Sequence, residues 1–149
     1  MALIITGFLA FNLIGESATI FSGTFVLDNL GSTFKVFVLG FSVIALVYSR
    51  QYLIVHELLR NEYFILALMS ILGMMVMISG HSLLTLYLGL EIMSLSLYAL
   101  IATARDRAFA IEAALKYFVL GAIASGLLLY GMSMIYGITG GLDIAQISN

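Results

Sequence analysis

The sequence predicts an all-α fold, a polytopic transmembrane helix bundle of about four full spans plus a partial N-terminal helix. Three observations predict it. Of 149 residues, 62% are apolar and only 9% charged, against about 45–50% and about 25% in ordinary soluble domains. The mean hydropathy is +1.14, and the apolar residues gather in runs near the ~20 needed to cross a bilayer. The runs lack the apolar–polar alternation of a membrane barrel, and backbone groups in hydrocarbon must pair internally, so each run reads as a helix. Residues 1–149 read as a single membrane domain.

Taken in order, the apolar segments are 1–14, 32–49, 62–80, 82–103 and 108–137. The first is too short to span, and it lacks the basic region and small-residue cleavage site of a signal peptide. It reads as the stump of a longer helix. The last opens with an amphipathic turn or two, Ala108 to Glu112, before becoming apolar. That suits a helix starting on the membrane surface. No proline interrupts any segment, so five continuous helices are expected. The pairs Gly121/Ser125 and Ala122/Gly126 have the small-residue spacing of close helix contacts. Met69, Met74, Met75 and Met77 read as adaptable packing.

Charge gives the orientation. Arg50 and Arg60 fall between the second and third segments, and Arg105 and Arg107 between the fourth and fifth. Residues 15–31, Gly80–His81 and 138–149 carry no Lys or Arg. The arginine loops are therefore expected on the cytoplasmic (or matrix) side, with Glu16, Asp28 and Asp143 opposite. A net charge of −2 lacks the basic footprint of a nucleic-acid binder. With no Cys and two isolated His, the chain offers no thiolates for an iron–sulfur cluster, no bis-His haem and no zinc site. No metal or cofactor is expected on this chain.

Two ionisable residues lie deep in the apolar segments, Glu91 and Lys116. Lys35 is expected nearer an end, four residues into its helix, where a long side chain can snorkel. Counting from Thr103 and Ala108 at 1.5 Å per residue puts Glu91 about 18 Å and Lys116 about 12 Å from the cytoplasmic ends of their helices. Both then fall within roughly 3 Å of the midplane. Their axial offset of about 6 Å allows a carboxylate–ammonium pair between consecutive antiparallel helices. A central acidic residue costs about 2.5–3.5 kcal/mol on insertion scales, against at most about −5 kcal/mol from the eight Leu and two Ile of residues 82–103. Such a group marks a functional site by default; the alternative is a structural ion pair locking two helices. For Lys116 the alternative is a local pair with Glu112 at i−4. Tyr87, Ser94 and Tyr98 share the helical face of Glu91, a hydroxyl stripe suited to a proton path or to interhelical hydrogen bonds. His81, at the non-cytoplasmic mouth, is placed for proton uptake or release or to cap a helix. His56 with Glu57 reads as a solvated loop.

The run Leu88-Gly89-Leu90-Glu91-Ile92-Met93-Ser94-Leu95-Ser96-Leu97-Tyr98 resembles the glutamate-bearing helix of the antiporter-like membrane subunits of respiratory complex I. The run Glu112-Ala113-Ala114-Leu115-Lys116-Tyr117-Phe118, continued by Gly121 to Gly131, is similar to the next helix of the N-type members. The 25-residue separation of Glu91 and Lys116 makes the combination more specific than either run. The L- and M-type members usually carry a differently worded glutamate helix.

The resemblance implies a proton-translocating subunit of NADH:quinone oxidoreductase, built of two inverted repeats. Glu91 would be the buried acid that tunes neighbouring lysines, and Lys116 the lysine on the following helix. NADH, FMN, iron–sulfur clusters and quinone would belong to partner subunits. The implied partners are other membrane subunits of complex I and the lipid bilayer, in a bacterial plasma (inner) or a mitochondrial inner membrane. The family's further lysines and proline-broken helices lie downstream of residue 149, so the chain reads as a fragment. A cation/proton antiporter subunit and a non-catalytic membrane scaffold are the rival readings.

Overall fold

Asp28 begins the first long helix with its own side chain, which accepts a hydrogen bond from the Gly31 amide at 2.8 Å. This satisfies one of the donors that every helix start leaves free. A computed structural model describes residues 2–147 except Ser22 and Arg105. Its helices are α1 (Ala2–Asn12), α2 (Asn29–Val55), α3 (Asn61–Ser79), α4 (Leu83–Ala102), α5 (Ala108–Thr139) and α6 (Ile144–Ile147), with strands β1 (Ala18–Ile20) and β2 (Phe25–Leu27). The helices α2, α3, α4 and α5 are each long and apolar enough to cross a membrane.

The expected and observed boundaries of α3, α4 and α5 differ by at most two residues. Those of α2 differ more. It starts three residues earlier than expected and runs six further, taking Arg50 into the helix. Nothing in Arg50-Gln51-Tyr52-Leu53-Ile54-Val55 breaks a helix, since Gly and Pro are absent there. The helix stops at His56, followed by Glu57 at φ 55°. Lys35 is consequently seven residues into α2, not four, and half-buried.

The second departure is a hairpin where a plain loop was expected. β1 and β2 pair antiparallel, Ala18 with Leu27 and Ile20 with Phe25, around a turn containing Phe21 at φ 56° and Gly23 at φ 94°. Phe25 bridges to Gly80, and the His81 amide donates to the Thr24 carbonyl at 2.9 Å. Ser82 bridges to Asp143, and the Ile144 amide donates to the His81 carbonyl at 3.2 Å. The segments free of Lys and Arg are thus knitted together at one end. At the other end Arg60 Nη2 lies 2.6 Å from Asp106 Oδ2, and Arg107 Nη2 donates to the His56 carbonyl at 3.3 Å. His56 itself is exposed, its ring tilted against that of Tyr52 at 4.3 Å between centroids. Arg105, the remaining loop arginine, lies outside the described residues.

Helices α3 and α4 make the closest contact. A Cβ on Gly73 would stand 2.6 Å from the Gly89 carbonyl oxygen and from the Met93 nitrogen, and one on Gly89 would stand 2.7 Å from Met77 Cγ. Small and polar side chains (Ser70, Thr85, Ser96) are buried here with Ile71, while most large apolar ones point outward. That is the packing of helices in lipid, where burial of apolar surface gives no drive and close approach does. The outward surface includes Phe109 at 79% and Ile138 at 85% exposure. On α5 only Ala110 and Ala114 are buried.

Candidate functional site

The face of α4 that carries Tyr87, Glu91, Ser94 and Tyr98 is half-buried along its length. Its neighbour is α5, and the contacts fix the register of the two helices. The Ser125 hydroxyl donates to Glu91 Oε1 and lies 3.2 Å from the Tyr87 hydroxyl. One turn earlier on α5, Gly121 faces the Tyr98 hydroxyl so closely that a Cβ there would collide with it. Tyr98 also meets Tyr117 edge-on at 4.8 Å between ring centroids and Phe118 at 5.6 Å. These rings lie on the side of Glu91 toward the arginine loops, next to a cavity of about 280 Å³ between α4 and α5. On the other side a cavity of about 230 Å³ lies between α4 and α5, lined by Leu84, Tyr87, Leu129, Ser133 and Tyr136 among others.

The register separates Glu91 from Lys116. Glu91 is abreast of Ser125 and Tyr98 of Tyr117 to Gly121, so Lys116 is abreast of the last turn of α4. The two are about ten residues, or ~15 Å, apart along the axis, not the 6 Å that starting both helices from one plane gives. The reason is that, in this register, α5 begins beyond the end of α4. Lys116 Nζ instead pairs with Glu112 Oε1 at 2.5 Å, on an outward face with side chains 71% and 66% exposed. Pairing within one turn lowers the penalty of carrying two charges into a span. His81 is half-buried at the hairpin end, held by the main-chain bonds described above.

Ser125 is the residue of this site that the sequence reading passes over. It reads there as half of a small-residue pair with Gly121, whereas its hydroxyl joins Glu91 to Tyr87. The signal was its position, 34 residues from Glu91, which meets the carboxyl only once the true helix register is known. The second pair, Ala122/Gly126, makes no close approach: a Cβ on Gly126 meets nothing within 4 Å. Among the described residues, no group of three or more His, Cys, Asp or Glu is placed to hold a metal ion.

Residues 80–149, the stretch holding this whole site, match the family described as NADH:quinone oxidoreductase/Mrp antiporter, transmembrane. The NADH-quinone oxidoreductase subunit N of Ruthia magnifica subsp. Calyptogena magnifica is 69% identical over 150 residues, covering 100% of this chain. Over its whole length the chain is similar to antiporter-like membrane subunits, with the family match itself confined to residues 80–149. Subunit N of Alkalilimnicola ehrlichii is 56% identical over 134 residues, covering 90% of the chain. The chain spans 31% and 28% of the lengths of these two relatives. Among solved structures, respiratory complex I from Thermus thermophilus with bound Aureothin holds a chain of TM-score 0.78 and 31% identity. The match covers 95% of this chain and 31% of that one. The membrane-bound sulfane sulfur reductase, an archaeal respiratory complex, gives TM-score 0.78 at 26% identity, over 97% of this chain and 32% of that one. With its four apolar spans and bacterial relatives, the chain is a multi-pass inner-membrane protein.

Proposed function

We propose that the chain forms part of a membrane subunit of NADH:quinone oxidoreductase and takes part in proton translocation coupled to quinone reduction. One observation carries this reading: a carboxyl near the middle of an apolar span, Glu91 of α4, held by a hydroxyl of the next helix in a chain whose relatives are subunit N. An acid kept at that depth marks an ion or proton pathway by default. Glu91 is the buried acid, with Tyr87, Ser94 and Tyr98 as the hydroxyls of the path and His81 at its far mouth. Lys116 is the lysine of the following helix. Since it pairs with Glu112, any influence of Glu91 on it acts over distance or through intervening groups. NADH, FMN, iron–sulfur clusters and quinone reside on partner subunits, and the other membrane subunits of the complex are the partners. The arginine loops face the cytoplasm.

The family joins oxidoreductase subunits with Mrp antiporters, which favours cation/proton exchange as a second reading. Inverted membrane vesicles carrying the full-length subunit separate the two. The first reading expects NADH-driven proton uptake that persists without sodium. Sodium-driven proton exchange in vesicles that oxidise no NADH would favour the second.

A further inference from the structure

Ser125 is on a different helix from Glu91 and touches both polar groups at the centre of the α4 face. We infer that Ser125 is a positioning residue for Glu91, holding its carboxyl against Tyr87 in both protonation states; the inference rests on reading Glu91 as the acid of the proton path. A serine hydroxyl has one proton to donate and two lone pairs to accept with. When Glu91 is ionised, Ser125 donates to Oε1 and accepts from the Tyr87 hydroxyl. When Glu91 is protonated, the carboxyl donates to Ser125 Oγ, and the serine proton turns to the Tyr87 oxygen. Neither state leaves the half-buried carboxyl without a partner inside an apolar span, where an unpaired polar group is costly. Alanine at 125 would leave the carboxyl free to change rotamer.

The neighbourhood supports the assignment. Gly121, one turn away, admits the Tyr98 hydroxyl where any side chain would collide. The Tyr98, Tyr117 and Phe118 rings pack together on the arginine-loop side of the Ser125–Glu91 contact. On the other side the Tyr87 hydroxyl lies within hydrogen-bond reach of the serine. The serine is thus the link between the acid and the phenol.

The test is infrared difference spectroscopy across a pH step, on the assembled complex carrying the full-length subunit in phosphatidylcholine–phosphatidylglycerol vesicles. Glu91→Gln identifies the Glu91 carboxyl band. Ser125→Ala is expected to move that band toward the frequency of a carboxyl lacking a hydrogen-bond partner and to remove the accompanying tyrosine ring signal. Ser125→Thr, which keeps the hydroxyl, restores both. In NADH-oxidising membranes with the same changes in the full-length subunit, proton uptake per NADH falls about two- to tenfold for Ser125→Ala, the factor of one hydrogen bond of ordinary net strength. It recovers with Ser125→Thr. An unmoved band in Ser125→Ala overturns the inference, as does a moved band with unchanged uptake where Glu91→Gln abolishes uptake. If Glu91→Gln itself pumps normally, the reading of Glu91 fails and the inference with it, and the band position tells the two failures apart.

Discussion

At the scale of single residues, the energetics of Glu91 turn on one contact. Placing an acid at a helix centre costs about 2.5–3.5 kcal/mol, and the Ser125 hydroxyl offsets part of it. The acid itself is legible in the sequence, because a charge in an apolar run stands out. Its partner is not, because Ser125 in Gly121-Ala122-Ile123-Ala124-Ser125 reads as a small residue for packing, and only the axial register of two helices brings it to Glu91. Gly121 is placed under Tyr98 for steric reasons, so Gly121→Ala should displace that ring and lower stability by about 1–3 kcal/mol, the range for overpacking, seen as a lower Tm in detergent. Asp28→Ala removes the cap on Gly31 and should lower stability by about 1 kcal/mol, read the same way.

Among the elements, α3 and α4 owe their closeness to two glycines facing each other, Gly73 and Gly89. The atoms that a Cβ on Gly73 would strike are backbone atoms of α4, which cannot step aside. Gly73→Ala should therefore separate the helices and lower the Tm markedly. Gly131→Ala, where a Cβ meets nothing within 4 Å, should be neutral or raise stability by up to about 1 kcal/mol through helix propensity. Equal effects at the two positions would contradict the packing described. The spans themselves follow from hydropathy, since length and apolarity decide insertion. The ends of α2 and the β1–β2 hairpin do not. Strands of three residues carry almost no periodic signal, and this hairpin is held by bridges to Gly80 and His81, far along the chain.

For the molecule as a whole, the two ends differ in kind. One is closed by main-chain ladders among hairpin, His81 and α6, and the other by arginine contacts, Arg60 to Asp106 and Arg107 to His56. The arginine end should face the cytoplasm. A cysteine replacing Leu59 should resist a membrane-impermeant thiol reagent in intact cells, and one replacing Ser17 should react; the reverse would overturn the orientation. Between these ends the sequence alone locates the midplane acid but misjudges its distance from Lys116, because in the observed register α5 begins beyond the end of α4. The central claim is that the charge of Glu91 serves proton translocation. It is tested most directly by proton uptake per NADH oxidised in inverted membranes bearing Glu91→Gln in the full-length subunit, with assembly checked on a native gel. Uptake should fall by at least about tenfold, as when a proton-transferring group is removed, less for Glu91→Asp, with Lys116→Ala between wild type and Glu91→Gln. A fully assembled Glu91→Gln enzyme that pumps like wild type would contradict the account and leave the carboxyl as a structural tie between α4 and α5.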